Sequence, residues 1–155
     1  MSEQPTTPIS LQRARDVFRA RNRSFCEGTA PDRFTTSFDG VTLEVAASGT
    51  NLAVLASVAA GGVGSDRSDR FGEVLAWAEA YNADHLYPKV TAVNRPEHDA
   101  AVMSVVQCIP GHWEYTDEQF AASLGAGVDG VVDAVLAFRR GFGPAPSGES
   151  PTRWA

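Results

Sequence analysis

Apolar residues recur every three or four positions in three stretches of the chain, the spacing of one face of an α-helix. The first stretch predicts a helix over residues 9–22. The second predicts a helix that starts at Ser65 or Ser68 and ends near residues 82–85. Its apolar stripe consists of Phe71, Val74, Leu75, Ala78 and Tyr81. The third stretch begins after Thr116, so three helices are expected.

The third helix carries a clear start signal. Thr116 and Gln119 match a capping box, in which each side chain accepts a hydrogen bond from an unpaired amide of the first turn. Farther along, Gly125, Gly127 and Gly130 each lower helix stability by about 1 kcal/mol relative to alanine. These glycines allow a break in the helix at that point.

Five other stretches have the alternating or continuous apolar pattern of β-strands. They cover residues 34–38, 41–47, 51–59, 90–94 and 100–108. An Asp-Gly dipeptide joins the first two, which is a strong hairpin signal. The element order is therefore α-β-β-β-α-β-β-α, and the short connections imply antiparallel pairing. We expect an α+β domain with an antiparallel five-stranded sheet and helices packed on it.

The chain has 155 residues, the usual size of one domain. No linker divides residues 9–142, which we expect to form a single domain. Residues 1–8 and 143–155 are rich in Pro, Gly, Ser and Thr and are predicted to be flexible tails. The first eight residues lack the apolar core of a signal peptide, and no apolar run reaches the roughly 18 residues of a membrane span. A cytoplasmic protein without membrane association is expected.

Charge narrows the partner class. The formal net charge is -6, which argues against binding to nucleic acid. The one basic cluster lacks the interleaved aromatic platform that single-stranded nucleic-acid sites have. It is predicted to be a solvated helix face, with binding to an acidic partner or RNA as the alternative. It consists of Arg13, Arg15, Arg19, Arg21 and Arg23. Two cysteines, Cys26 and Cys108, are predicted to be idle thiols, with a single disulfide as the alternative.

No catalytic or metal-binding motif stands out. Cys108 and His112 do not have a standard zinc spacing, and the chain contains no CxxC or HExxH. The glycine-rich residues 61–64 lack the lysine of a phosphate-binding loop, and the GxGxxG match at residues 125–130 falls inside a predicted helix rather than before one. We therefore expect no catalytic residue, no metal and no cofactor.

Residues 81–89 read Tyr-Asn-Ala-Asp-His-Leu-Tyr-Pro-Lys. An aromatic-Asn pair after a central helix, followed by Pro-Lys at the start of a strand, resembles the YbjN family, whose members are proposed to be bacterial sensory transduction regulators. The motif residues are Tyr81, Asn82, Pro88 and Lys89. Thr116, Gln119 and Phe120 match the family's start of the last helix. The resemblance covers roughly residues 10–140, and the arginine- and alanine-rich composition looks actinobacterial.

The resemblance implies a fold similar to type III secretion chaperones, often assembled as a homodimer. It implies a non-enzymatic regulatory or chaperone-like module that binds a protein or peptide, and it supplies no catalytic residues. The alternative is a small-molecule sensor or enzyme with a pocket between the sheet and the helices. Asn82 is expected to end the central helix in a left-handed conformation and Lys89 to pair locally at a strand edge, with direct ligand contact as the alternative role.

A homodimer interface is also predicted on the central helix. Trp77, Ala76 and Ala80 lie to the side or rear of its apolar stripe, at about 100° per residue. An exposed Trp77 would lead an apolar patch of the kind that marks partner surfaces. The alternative is that Trp77 packs under the glycine-rich loop or the terminal tail.

Overall fold

A computed structural model describes residues 4–61 and 70–143 of the chain. Within them, three helices are α1 (Leu11–Ala20), α2 (Phe71–Asp84) and α3 (Asp117–Phe142). The strands are β1 (Cys26–Glu27), β2 (Arg33–Phe38), β3 (Val41–Ser48), β4 (Asn51–Ala59), β5 (Lys89–Arg95) and β6 (Ala100–Ile109). A short 3-10 turn, Pro96–His98, joins β5 to β6. The fold is α+β, as expected.

The sheet is antiparallel throughout and has the strand order β1-β2-β3-β4-β6-β5. The expected number of five strands is wrong, because β1 adds a sixth at one edge. It pairs Cys26 with Thr35 and Glu27 with Phe34. Two residues are too few to show an alternating pattern, so this strand could not be predicted from the sequence.

The hairpin predicted between β2 and β3 is confirmed. Asp39 and Gly40 have φ values of 53° and 76°. Both central positions of a type I′ turn need positive φ, which Asp and Gly adopt more readily than most residues. The turn sets the register in which Phe38 lies opposite Val41 and Phe34 opposite Val45.

All three helices pack on the same face of the sheet. Helix α1 contacts β3, α2 contacts β5 and β6, and α3 crosses β3, β4 and β6. The strand residues that point to this face are buried, and they alternate with more exposed ones. The phenylalanine rings of Phe18, Phe34 and Phe38 meet edge to face under α1. The molecule therefore has two layers, one of helices and one of strands, with the core between them.

The capping box of α3 is confirmed. Thr116 Oγ1 accepts from the Gln119 amide at 3.1 Å, and Gln119 Oε1 accepts from the Thr116 amide at 2.9 Å. The helix continues unbroken through its glycines. A Cβ on Gly127 would lie 3.3 Å from both Val54 and Gln107 side chains, so the missing side chain lets α3 lie close to the sheet. Tertiary packing thus outweighs the low helix propensity of glycine.

Helix α3 is the one helix of the described residues whose length and composition would allow it to cross a membrane. Half of its most apolar window is buried against the rest of the chain. Its buried residues include Phe120, Leu124, Val131 and Phe138, which all belong to the core. Packing on the sheet accounts for the apolar character of this helix.

The arginines near α1 do not form a single solvated face. The Arg13 side chain is mostly buried, and its guanidinium donates to the carbonyls of Thr7, Pro8 and Tyr115 and to Asp117. The Arg15 side chain is also mostly buried and forms an ion pair with Glu27. These two side chains tie α1 to neighbouring segments, so this part of the prediction is wrong.

Part of the predicted N-terminal tail pairs with the segment just before α3. Thr7 exchanges two backbone hydrogen bonds of 3.0 Å with Tyr115, which anchors this point of the predicted N-terminal tail beside α3. The flexibility of residues 1–8 stays a prediction. The glycines at 62 and 64, the possible caps at Ser65 and Ser68, and residues 144–155 lie outside the described residues.

Candidate functional site

Helix α2 is rotated relative to the predicted stripe. Val74 and Ala78 are buried as expected, but Leu75 is 40% exposed. Trp77 turns inward instead. Its ring meets the Phe138 ring of α3 edge to face, with centroids 5.2 Å apart, and stacks on the Tyr81 ring with centroids 5.0 Å apart. Both separations lie within the range of favourable aromatic pairs.

The dimer candidates on α2 therefore differ in exposure. Ala76 and Ala80 are exposed, whereas Trp77 is half-buried by contacts within its own chain. The expected patch led by a fully exposed tryptophan is not what the fold presents. A homodimer through these three residues stays a prediction.

Asn82 fastens α2 to the sheet. Its Nδ2 donates to the Val90 carbonyl at 2.8 Å, and its Oδ1 accepts from the Val90 amide at 3.0 Å. Because β5 is an edge strand, the side-chain amide occupies a position where a neighbouring strand would pair. Asn82 lies inside α2, which ends at an extended His85, so the expected left-handed ending at Asn82 is wrong.

The segment that follows, residues 85–88, is here called the apolar loop. It exposes two consecutive large side chains, with Leu86 at 78% and Tyr87 at 67% exposure. Pro88 is buried at its end, with its Cδ 3.4 Å from the position of a Cβ on Gly130 of α3. Asn82 and Pro88 thus hold the two ends of the loop while its centre faces solvent.

An aromatic stack supports the start of the loop. The His85 ring lies parallel to the Tyr81 ring, with centroids 3.9 Å apart, and His85 Nδ1 lies 3.0 Å from the Tyr81 carbonyl oxygen. Burial raises the pKa of the Tyr81 hydroxyl, and the Asp133 carboxylate adds to this, while Arg140 acts in the opposite direction. The burial behind this shift comes from packing, since the Tyr81 ring lies between the rings of Trp77 and His85.

No helix of residues 4–61 and 70–143 covers the second face of the sheet, here called the open face. The strand register aligns one row of its outward side chains across five strands: Thr35, Glu44, Leu55, Val106 and Lys89. Val106, near the middle of this row, is 40% exposed. The sequence predicted which residues alternate but not which face the helices would leave bare.

The space between sheet and helices is filled rather than hollow. Several of its largest side chains are fully buried, among them Phe18, Phe34, Leu43, Met103, Phe120 and Phe138. A cavity of about 470 Å³ lies instead beside the edge of β2, and one of about 340 Å³ lies between α1 and α3. Residues such as Arg23, Ser37 and Thr42 line the first cavity.

Candidate metal and redox groups are dispersed. Within the described residues, no three His, Cys, Asp or Glu side chains come close enough to hold a metal ion. Cys26 on β1 and Cys108 on β6 are both exposed and not bonded to each other. Two further groups have a shifted pKa, and they lie next to each other at the start of β2. The Arg33 guanidinium lowers the pKa of the Asp32 carboxyl, and Asp32 raises the pKa of Arg33.

Comparison with known proteins supports the fold. No family model matches the chain, and no curated protein matches its sequence significantly. Among solved structures, it is similar to YbjN from E. coli, which is proposed to be a transcription regulator. The TM-score is 0.71 at 14% sequence identity, over 88% of this chain and 96% of that one. The chain therefore has a YbjN-like fold.

Proposed function

We propose that this chain is a non-enzymatic regulatory module of the YbjN type, which binds a protein or peptide partner through its apolar loop. The carrying observation is the exposure of Leu86 and Tyr87 on a loop whose ends are fixed. The regulatory part of the proposal draws on the similarity to E. coli YbjN. The chaperone-like character and the cytoplasmic location remain predictions from the resemblance and the sequence.

Exposed apolar side chains on a fixed support favour protein binding. Burying a leucine completely contributes about 1.5–3 kcal/mol, and most of that remains to be gained at Leu86. Tyrosine adds a large contact surface with a polar tip, which is why it is frequent among residues that dominate binding energy. Because Asn82 and Pro88 already hold the loop ends, little ordering free energy opposes association.

The alternative is a small-molecule sensor or enzyme with a pocket between sheet and helices. The buried aromatic and aliphatic side chains that fill this space favour the binding module. The raised pKa of Tyr81 arises mainly from burial, and Tyr81 does not line either of the two cavities described above. The two functions make different predictions. A small-molecule sensor would still bind its ligand when the apolar loop is altered, whereas the proposed module would lose its partner.

Affinity capture tests the proposal. Wild type, Leu86→Glu and Leu75→Glu would each be used to capture proteins from lysate of the source bacterium, with quantitative mass spectrometry as the readout. Leu75 is a matched control, because it is an exposed leucine on α2 away from the loop. Circular dichroism and urea melts would establish that all three are folded.

We expect at least one protein to be enriched by wild type and Leu75→Glu and lost with Leu86→Glu. Equal enrichment by all three folded proteins would place partner binding on a different surface. If wild type enriches nothing over an unrelated bait, the proposed function is wrong.

A further inference from the structure

We propose that the open face of the sheet is the interface of a symmetric homodimer, in which two copies of this chain pack sheet against sheet. This proposal concerns a surface on the opposite side of the sheet from the helices, and it does not depend on the apolar loop. It also differs from the predicted dimer through Trp77, because α2 would stay on the outside of the assembly.

The composition of the open face is unusual for a surface in water. In an antiparallel sheet with one face in water, each strand normally alternates apolar side chains that point to the core with polar side chains that point to water. Here the outward positions of β4 from Ala53 to Ala59 and of β6 from Val102 to Cys108 carry no charge. Leu55 and Val106 lie directly opposite each other at the centre. These two strands are the middle of an apolar and weakly polar surface.

The size of the open face fits a stable dimer. Neighbouring strands lie about 4.8 Å apart and each residue adds about 3.3 Å along a strand. A two-fold arrangement centred between β4 and β6 overlaps four strands, β3, β4, β6 and β5, so about seven residues per strand give a patch of roughly 19 Å by 23 Å, or roughly 440 Å² before the relief of side chains is counted. A standard interface buries about 800 Å² of accessible surface on each partner, so this patch fits an interface at the smaller end of the specific range.

The arrangement of charges selects a second copy as the occupant. A two-fold axis parallel to the strands and midway between β4 and β6 reverses the strand order and keeps each row in place. In the central row, this operation sets Leu55 over Val106 of the second copy. It also sets Glu44 over Lys89 of the second copy, which pairs opposite charges at both ends of the apolar centre.

The rows of side chains beside the central row also match under this two-fold axis. Ser57 would lie over Ser104 of the second copy, and Ala59 over Val102 of the second copy. Small side chains meeting in this way allow two sheets to approach to about 10 Å in an aligned packing. Glu44 already pairs with Arg33 at 3.0 Å within its own chain, so its carboxylate enters the interface in a fixed position.

Sedimentation equilibrium of the full chain tests this inference. We expect wild type to dimerise at micromolar concentrations. Val106→Glu should remain folded and dimerise at least about 100-fold more weakly, because each copy would bring an unpaired charge into the apolar centre. Leu75→Glu is the matched control, since Leu75 is also 40% exposed but lies on α2, and it should dimerise like wild type.

A charge exchange tests the geometry. Lys89→Glu places like charges opposite each other and should weaken the dimer, whereas the double variant Glu44→Lys/Lys89→Glu should recover at least part of the loss. A wild type that is monomeric at 100 µM would overturn the homodimer and leave the face to another occupant. A wild-type dimer that folded Val106→Glu leaves intact, or no recovery in the double variant, would overturn the proposed interface.

Discussion

The hydrogen bonds between Asn82 and Val90 give the most quantitative prediction for stability. Asn82→Ala removes both of them, at 2.8 and 3.0 Å. A typical intramolecular hydrogen bond contributes a net 0.5–1.5 kcal/mol, so the pair contributes about 1–3 kcal/mol. Val90 lies on an edge strand where water can replace part of the interaction, which places the expected loss near 2 kcal/mol.

Urea denaturation followed by circular dichroism measures this loss. The midpoint should fall with an unchanged m-value, because the variant exposes the same surface on unfolding. For a chain of this size, 2 kcal/mol corresponds to about 4–8 °C in melting temperature. Asn82→Asp keeps the acceptor for the Val90 amide but loses the donor to its carbonyl, so it should lie between wild type and Asn82→Ala.

Asn94→Ala provides the control, because Asn94 is an exposed asparagine on the same strand. It should change the free energy of unfolding by no more than about 0.5 kcal/mol. If Asn82→Ala is as stable as this control, the hydrogen bonds do not hold the helix to the sheet. Asn82 would then be a candidate for direct ligand contact, contrary to the structural role derived above.

Four further changes test individual elements by urea denaturation, the last of them as a function of pH. Thr116→Ala should cost about 0.5–2 kcal/mol, since α3 loses its side-chain cap, and an unchanged midpoint would contradict the capping assignment. Gly141→Ala should stabilise by about 0.5–1 kcal/mol, because nothing lies within 4 Å of the added methyl group. Gly127→Ala should instead destabilise by about 1 kcal/mol, because crowding against fully buried Val54 outweighs the gain in propensity. The raised pKa of Tyr81 means that the folded state holds this proton more tightly, so stability should fall as pH rises above about 10, and Tyr81→Phe should reduce that slope.

Local patterns predicted most of the fold. The capping box at Thr116, the Asp39-Gly40 turn and the alternation in β3 each depend on neighbouring residues, so the sequence contains their full signal. Strand β1 was missed because its pairing depends on the distant β2 and not on its own two residues. The uninterrupted α3 was missed for a similar reason, since its glycines are compensated by close packing on β4 and β6.

The candidate site was predictable only in part. The family motif pointed to Asn82 and Pro88, but a motif does not show that one side chain pairs with an edge strand and the other lies against α3. Helical spacing predicted that Leu75 is buried and that Trp77 lies at the side of the apolar stripe. In the structure, Leu75 is exposed and Trp77 packs against the core. The observed orientation of α2 depends on the ring of Phe138 in α3, against which Trp77 packs. Phe138 is more than fifty residues from Trp77 in the sequence, so the spacing of residues within α2 does not predict this contact.

The open face of the sheet could not be predicted from hydrophobic patterning alone. Alternation assigns Leu55 and Val106 to one side of their strands and Val54 and Val105 to the other. Both sides of these two strands are rich in apolar residues, so hydrophobicity alone does not choose between them. The choice is made by the three helices, whose apolar faces all meet the side that contains Val54 and Val105.

The claim that this chain binds a protein through its apolar loop is tested most directly by isothermal titration calorimetry. The captured partner would be titrated into folded wild type and folded Leu86→Glu under the same conditions. We predict a dissociation constant at least about tenfold higher for Leu86→Glu, because the apolar contact of Leu86 is lost and a charge must be desolvated. Equal dissociation constants for the two proteins would contradict the claim.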